Sequence, residues 1–327
     1  MDVLEMQKAI SMKILILGAG GCFGQNLADY AMKEGHRVMG IGRSPRKPKC
    51  FSLGIDFPYY PYHIAFELDY ILEKIKYFKP DVIVNYAAQG EGAASWGKDN
   101  WRFYNTNCTA LVKLVSNLDC HFVQIGSSEV YGSCSEPMDE KRLLNPTSPY
   151  AVSKAAFDQH LIVMHRIKGM PINVIRPSNC YVSGQQLHRI IPKSLISGLT
   201  RRKIALHGGG AARKSYLHAT DLSRAVLMVI KSGTLGEIYN VGPDKPTAIS
   251  DVVKLCLIAS GGSWDELVEV APERMGQDSC YSISSDKMKS LGWKQEIGWE
   301  EGLESMLQWI KAYPELEEMP TEFYMKA

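Results

Sequence analysis

From position 12 onward, short runs of β-branched and aliphatic residues alternate with longer segments whose apolar positions recur at helical spacing. A strand covered on both faces reads as an unbroken apolar run, whereas a covering helix needs only one apolar stripe, so this alternation describes a parallel sheet joined by helical crossovers. The pattern predicts strands at 13–17, 37–41, 81–85, 121–125 and 172–175, with crossover helices at 22–34, 65–77, 99–118 and 149–167. After Gly184 the rhythm breaks into shorter pieces around Gly208-Gly209-Gly210, Gly242-Pro243 and Gly261-Gly262. The expected fold class is therefore α/β: a doubly wound parallel sheet, mainly residues 12–183, with an N-terminal extension at 1–11. A smaller lobe, mainly 184–327, would close over the site.

Composition narrows the choice of partners. A chain of 327 residues with 45% hydrophobic content has ample core. Its 37 basic and 35 acidic residues nearly cancel and form no long run of one sign, so no nucleic-acid footprint is present and a small substrate is expected. Residues 1–11 are too polar for a signal peptide, and no stretch is apolar enough to span a membrane. The eight cysteines are scattered singly, without CxxC pairs or metal-ligand spacing, which predicts a cytoplasmic protein with no metal site.

The first predicted strand runs into Gly18-Ala19-Gly20-Gly21-Cys22-Phe23-Gly24 and then a helix. Glycines at such a turn let the backbone approach a pyrophosphate held at the positive end of the helix, which is the dinucleotide-binding arrangement. At the end of the second strand stands Gly42-Arg43-Ser44-Pro45-Arg46-Lys47, where an acidic residue would bond a free ribose 2′-hydroxyl. A guanidinium at Arg43 suits a 2′-phosphate, so NADP is expected ahead of NAD. The plainer reading of Arg46, Lys47 and Lys49 is a solvated basic loop.

Tyr150 and Lys154 lie four apart, on one face of a predicted helix. An ammonium at that spacing is expected to draw the phenol's pKa down towards working pH and to hold the nicotinamide ribose. Upstream, Gly126-Ser127-Ser128-Glu129-Val130-Tyr131-Gly132 follows an apolar strand, and carboxyl ends of parallel strands are where ligands bind. Ser127, Ser128 and Glu129 thus join Tyr150 and Lys154 as catalytic candidates.

Together Gly18-x-x-Gly21-x-x-Gly24, Asn85-Tyr86-Ala87-Ala88-Gln89, Asn107, Ser127-Ser128-Glu129-Val130-Tyr131-Gly132, Tyr150-Ala151-Val152-Ser153-Lys154 and Arg176-Pro177-Ser178-Asn179 carry a resemblance. They resemble the extended short-chain dehydrogenase/reductases, specifically the nucleotide-sugar epimerase/dehydratase family, over roughly 12–311. The resemblance implies a Rossmann-type domain with a C-terminal substrate lobe, and a homodimer packed through the helices near 99–118 and 149–167. It implies that Gly18, Gly21, Cys22, Phe23, Gly24, Arg43 and Ser44 hold the cofactor. Ala87, Ala88, Gln89, Asn107, Tyr150, Lys154 and Pro177 would complete that set. Ser127, Glu129, Asn179, Arg189, Arg213 and Arg274 would contact the nucleotide-diphosphate sugar.

Within that family the Ser-Ser-Glu sequence is similar to the 4,6-dehydratases. The implied course is oxidation at C4 with Tyr150 as base, abstraction of the C5 proton by Glu129, loss of water from C6 and return of the hydride there. Many dehydratases carry aspartate where Ser128 stands, so Glu129 would act as both base and acid. Two further departures touch the ligands. Tyr62-His63-Ile64 lacks the family's adenine-reading aspartate, and Gly90-Glu91-Gly92-Ala93-Ala94-Ser95-Trp96 replaces a Ser-His-Val pattern near the sugar. UDP-glucuronate decarboxylases and 4-epimerases share much of the pattern and stand as alternatives. From a different class, a non-catalytic NADP-binding regulator remains a rival, opposed by the intact Tyr150/Lys154 pair.

Overall fold

The computed structural model describes residues 11–45, 48–134, 136–273 and 280–322. Seven parallel strands form the main sheet in the order Ile238–Val241, Ile172–Pro177, His121–Ile125, Val82–Asn85, Lys13–Leu17, Arg37–Ile41, Tyr59–Tyr60. Chain order reverses beside Lys13–Leu17, where Leu17 lies between Ile41 and Asn85. Crossovers on either side of that point leave in opposite directions, and the crevice between them receives a dinucleotide in doubly wound sheets.

The two-residue period of a strand sorts the core into two layers. Ile14, Ile16, Val82, Val84, Val123 and Ile125 pack with Leu27 and Ala28 of the Cys22–Lys33 helix and Val226 and Val229 of Ala219–Ser232. Leu15, Leu17, Ile83 and Phe122 point the other way, onto Ile71, Leu111, Leu114, Phe157 and Leu161. A further core joins the helices Ile190–Thr200, Ile249–Ala259 and Trp299–Ala312 through Leu195, Val252, Cys256, Met306 and Ile310. Beyond residue 184 the chain therefore contributes to both units, because the helix Ala219–Ser232 and the strand Ile238–Val241 return to the main sheet.

Two elements depart from the pattern. The helix expected over 99–118 comprises Trp101–Tyr104, a π-helical turn at Asn105–Thr109, and Ala110–Val115. A π turn inserts one residue into the helical repeat, which a 3.6-residue period does not signal. The edge strand Tyr59–Tyr60 is too short to show alternation. Among the described residues no helix is long and apolar enough to cross a membrane.

Candidate active site

The glycine turn is packed too closely against its own backbone to admit side chains. Gly18 has φ of 80°, and a Cβ there would stand 2.6 Å from the Ala87 nitrogen. At Gly24 a Cβ would lie 2.5 Å from the Gly18 oxygen. Side chains at either position would force apart the turn, the first helix and the segment after the Val82–Asn85 strand. Gly21 caps the Cys22–Lys33 helix without a side-chain bond, so its first-turn N–H groups meet no capping side chain and suit an anion. Cys22 and Phe23 open that helix and pack against Val182 and Ala219.

The second strand ends at Ile41, and both Arg43 and Ser44 are exposed in the turn that follows. Tyr59 Oη donates to the Ser44 carbonyl at 2.6 Å, which fixes the turn. Arg43 lies close enough to His63 that its charge adds to burial in lowering the imidazole's pKa. Arg46 and Lys47 lie outside the described residues.

The third side of the crevice follows Asn85. Its Oδ1 accepts from the Ala87 N–H at 3.0 Å, and its Nδ2 donates to Gln124 at 2.8 Å. Asn107, on the π turn, accepts from the Gln89 N–H at 2.8 Å, donates to the Gln89 carbonyl at 3.1 Å and donates to Ser153 Oγ at 3.0 Å. Ser153 Oγ in turn donates to the Tyr150 carbonyl at 2.7 Å. One buried asparagine on the irregular turn thereby joins the Ala87-Ala88-Gln89 segment to the helix that carries Tyr150.

That helix, Pro149–Lys168, starts at Ser148, whose Oγ accepts from the Ala151 N–H at 3.1 Å, with proline in its first turn. It ends at Gly169, left-handed with φ of 69°. The cap places Tyr150 half-buried beside Ser127 and Glu129, which emerge from the carboxyl end of the His121–Ile125 strand. Ser127 Oγ accepts from the Glu129 N–H at 3.2 Å and caps the short turn Ser128–Tyr131. Ser128 itself is buried in that turn.

Electrostatics here differ from expectation in one respect. Lys154 was expected to draw the Tyr150 pKa down, yet Tyr150 is pushed well above an ordinary phenol, first by burial and then by the Glu129 carboxylate, against a hydrogen bond to Ser127 and the charge of Arg189. Lys154 Nζ is spent elsewhere: it is 2% exposed and donates to the Ile125 carbonyl at 2.6 Å. Desolvation lowers its own pKa to about 8, with Asp158 opposing. Behind it Asp158 Oδ2 accepts from Arg176 Nε at 2.9 Å, and Arg176 Nη1 donates to Tyr131 Oη at 2.9 Å.

Asp158 and His188 were not singled out from the sequence, and Arg176, Ser153 and Glu91 stood there only inside longer motifs, without a role of their own. Asp158 stands four residues after Lys154 on the same helix, a spacing that could have shown it. Glu91 joins His188, 97 residues further along the chain, and its neighbour Arg189, which no local pattern shows.

The remaining expected ligands lie on the sheet's carboxyl side and the second lobe. Pro177 ends the Ile172–Pro177 strand, and the Asn179 N–H donates to the Ser215 carbonyl at 3.1 Å. Arg213, exposed on the short strand Arg213–Lys214, donates to the Pro246 carbonyl at 2.9 Å. Arg274 lies outside the described residues.

A family model described as the NAD dependent epimerase/dehydratase family matches residues 14–242, spanning the glycine turn, Glu129, Tyr150 and Lys154. The chain belongs to this family. Among its relatives, the dTDP-D-glucose 4,6-dehydratase of Homo sapiens is 31% identical over 245 residues, covering 71% of this chain and 69% of that protein. A trifunctional UDP-glucose 4,6-dehydratase, 3,5-epimerase and reductase of Arabidopsis thaliana is 28% identical over 245 residues. The chain spans only 36% of that relative's length. Among solved structures, a dTDP-glucose 4,6-dehydratase of Bacillus anthracis in complex with NAD superposes with a TM-score of 0.83 at 27% identity, covering 93% of this chain and 98% of the other. A UDP-glucose 4-epimerase of Thermotoga maritima shares the fold, with a TM-score of 0.84 at 22% identity over 92% of this chain and 99% of the other. The epimerase/dehydratase fold, with its nicotinamide-dinucleotide crevice, thus accounts for the glycine turn and the Tyr150 helix.

Proposed function

We propose that this family member is an NADP-dependent nucleotide-sugar 4,6-dehydratase. The observation that carries the reading is the placement of Glu129 beside Tyr150: a Cβ built at Gly92 would be 3.4 Å from Glu129 Oε2 and 3.9 Å from Tyr150 Cδ1. A 4-epimerase needs no carboxylate there, whereas elimination across C5 and C6 needs a base.

Gly18, Gly21 and Gly24 hold the pyrophosphate, Asn107 positions the segment facing the ring, and Lys154 serves the nicotinamide ribose. A bound nicotinamide would supply, in its oxidised form, a positive charge that favours the phenolate and a hydride acceptor for C4 and, once reduced, the hydride donor for C6. The proton chemistry falls to the chain. Tyr150 takes the proton of the sugar 4-hydroxyl, and Ser127 orients that hydroxyl. A C4 ketone acidifies the C5 hydrogen, which Glu129 removes as a proton and then delivers to the departing C6 hydroxyl. Ser128, buried and no acid, leaves both tasks to Glu129. Asn179, Arg213 and Arg274 serve the diphosphate or its ribose, and Arg189 lies on the sugar side.

Arg43, exposed at the end of the second strand, supports NADP over NAD. Exposed Trp101, Tyr104, Val152, Val163 and Ile167 on the two helices expected at an interface support a homodimer. Eight free cysteines support a cytoplasmic setting.

The test is incubation with NADP⁺ and UDP-, GDP-, CDP- and dTDP-sugars, followed by mass and NMR analysis. A 4-keto-6-deoxy product with solvent deuterium at C5 is expected. Carbon dioxide release, a C4 epimer, or cofactor binding without any conversion would each replace this reading with one of its rivals.

A further inference from the structure

Resting on the dehydratase reading, we infer that Glu91 is a specificity-determining residue that turns away sugars carrying a carboxylate at C6. The chain would accordingly accept nucleotide sugars whose C6 is an uncharged hydroxymethyl and discriminate against uronates.

The placement of Glu91 makes the case. Gly92, the next residue, lies against the reacting groups: a Cβ built there would be 3.4 Å from Glu129 Oε2 and 3.9 Å from Tyr150 Cδ1. Glu91 Oε2 is 3.0 Å from His188 Nε2 and 3.2 Å from Arg189 Nη2. Arg189 Nη2 also donates to the Gly90 carbonyl at 2.9 Å. His188 and Arg189 directly precede the Ile190–Thr200 helix, so the pairing joins the second lobe to the loop beside Tyr150.

The charge balance follows from these contacts. A C6 carboxylate entering beside Tyr150 would seek a cation, and Arg189 is the guanidinium whose charge is felt at Tyr150. That guanidinium is already engaged by Glu91 and a backbone carbonyl. The incoming anion would meet two carboxylates, Glu91 and Glu129, around one compensated arginine, and like charges in a half-buried site repel more strongly than in water. A hydroxymethyl group meets no such opposition. Converting Glu91 to its amide keeps an oxygen for Arg189 and His188 to bond but removes the charge that neutralises the arginine.

The test is calorimetric binding to the cofactor-loaded protein. Glucose and glucuronate are compared as their UDP, dTDP and GDP conjugates, with each nucleoside diphosphate alone as a control. The unaltered protein should favour glucose over glucuronate by at least tenfold. Glu91→Gln should shrink that preference by about tenfold, equivalent to about 1.4 kcal/mol, through a gain for glucuronate while glucose and the bare diphosphate change little. Arg189→Gln, alone or added to Glu91→Gln, should leave glucuronate rejected. An unchanged ratio in Glu91→Gln, or an equal loss for every ligand, overturns the inference. A 4-keto product from a neutral sugar alongside either result would leave the dehydratase reading standing. No binding of any conjugate by the unaltered protein would remove both.

Discussion

Replacing Asp158 with asparagine tests the charge array behind Lys154. Asp158 and Arg176 are 0% and 1% exposed and bonded at 2.9 Å, and Arg176 also bonds Tyr131, whose hydroxyl donates to Asn240 at 2.9 Å. Asparagine keeps the shape but strands the guanidinium without a counter-charge, which for a buried pair costs about 3–5 kcal/mol. With an unfolding entropy of about 2.1 cal/mol/K per residue over 327 residues, the melting temperature should fall by roughly 4–7 °C. Lys154 should respond as well. Burial lowers its pKa to about 8 while Asp158 opposes the fall, so losing the carboxylate takes it lower. Because the folded pKa lies below the unfolded one, the unfolded chain binds more protons between the two values. Stability therefore rises with pH from about 8 towards the ordinary lysine value, 10.5. In Asp158→Asn that rise should begin at lower pH, and the alkaline limb of the rate profile, set by loss of the Lys154 proton, should move the same way. Circular-dichroism melts across pH, with initial rates of 4-keto product, read both effects. An unchanged melting temperature together with an unmoved alkaline limb would refute the account of the array.

Glu129→Gln, close in size but no base, should retain cofactor affinity by fluorescence titration and lose turnover by about 10²–10⁴; full activity would remove Glu129 from the elimination step. Tyr150→Phe should slow C4 oxidation by a similar factor of about 10²–10⁴ in single-turnover absorbance, and a negligible change would mean another group takes the proton. Gly18→Ala, at φ of 80° with a Cβ 2.6 Å from the Ala87 nitrogen, should cost at least about 1–2 kcal/mol in denaturant melts and abolish cofactor binding. Arg43→Ala should weaken NADP selectively relative to NAD in paired titrations, and equal losses would reduce Arg43 to a solvated loop residue.

Much of this architecture is local and therefore legible along the chain. Strand and crossover periodicity, the glycine turn, the Tyr150–Lys154 spacing and the serine-glutamate segment all depend on neighbours within a few residues. The fold adds what depends on distant partners. Asn107, on the π turn, joins Gln89 to Ser153 of the tyrosine helix, 18 and 46 residues away. Lys154 is withheld from Tyr150 because the Ile125 carbonyl, 29 residues away, lies within 2.6 Å. Glu91 meets His188 and Arg189 through the packing of two lobes, and the strand Ile238–Val241 returns to a sheet that the sequence rhythm closes near residue 184. Periodicity and motif spacing follow from backbone geometry, which each residue carries with it. Charge compensation and pKa follow from burial and through-space distance, which exist only once the chain has closed on itself.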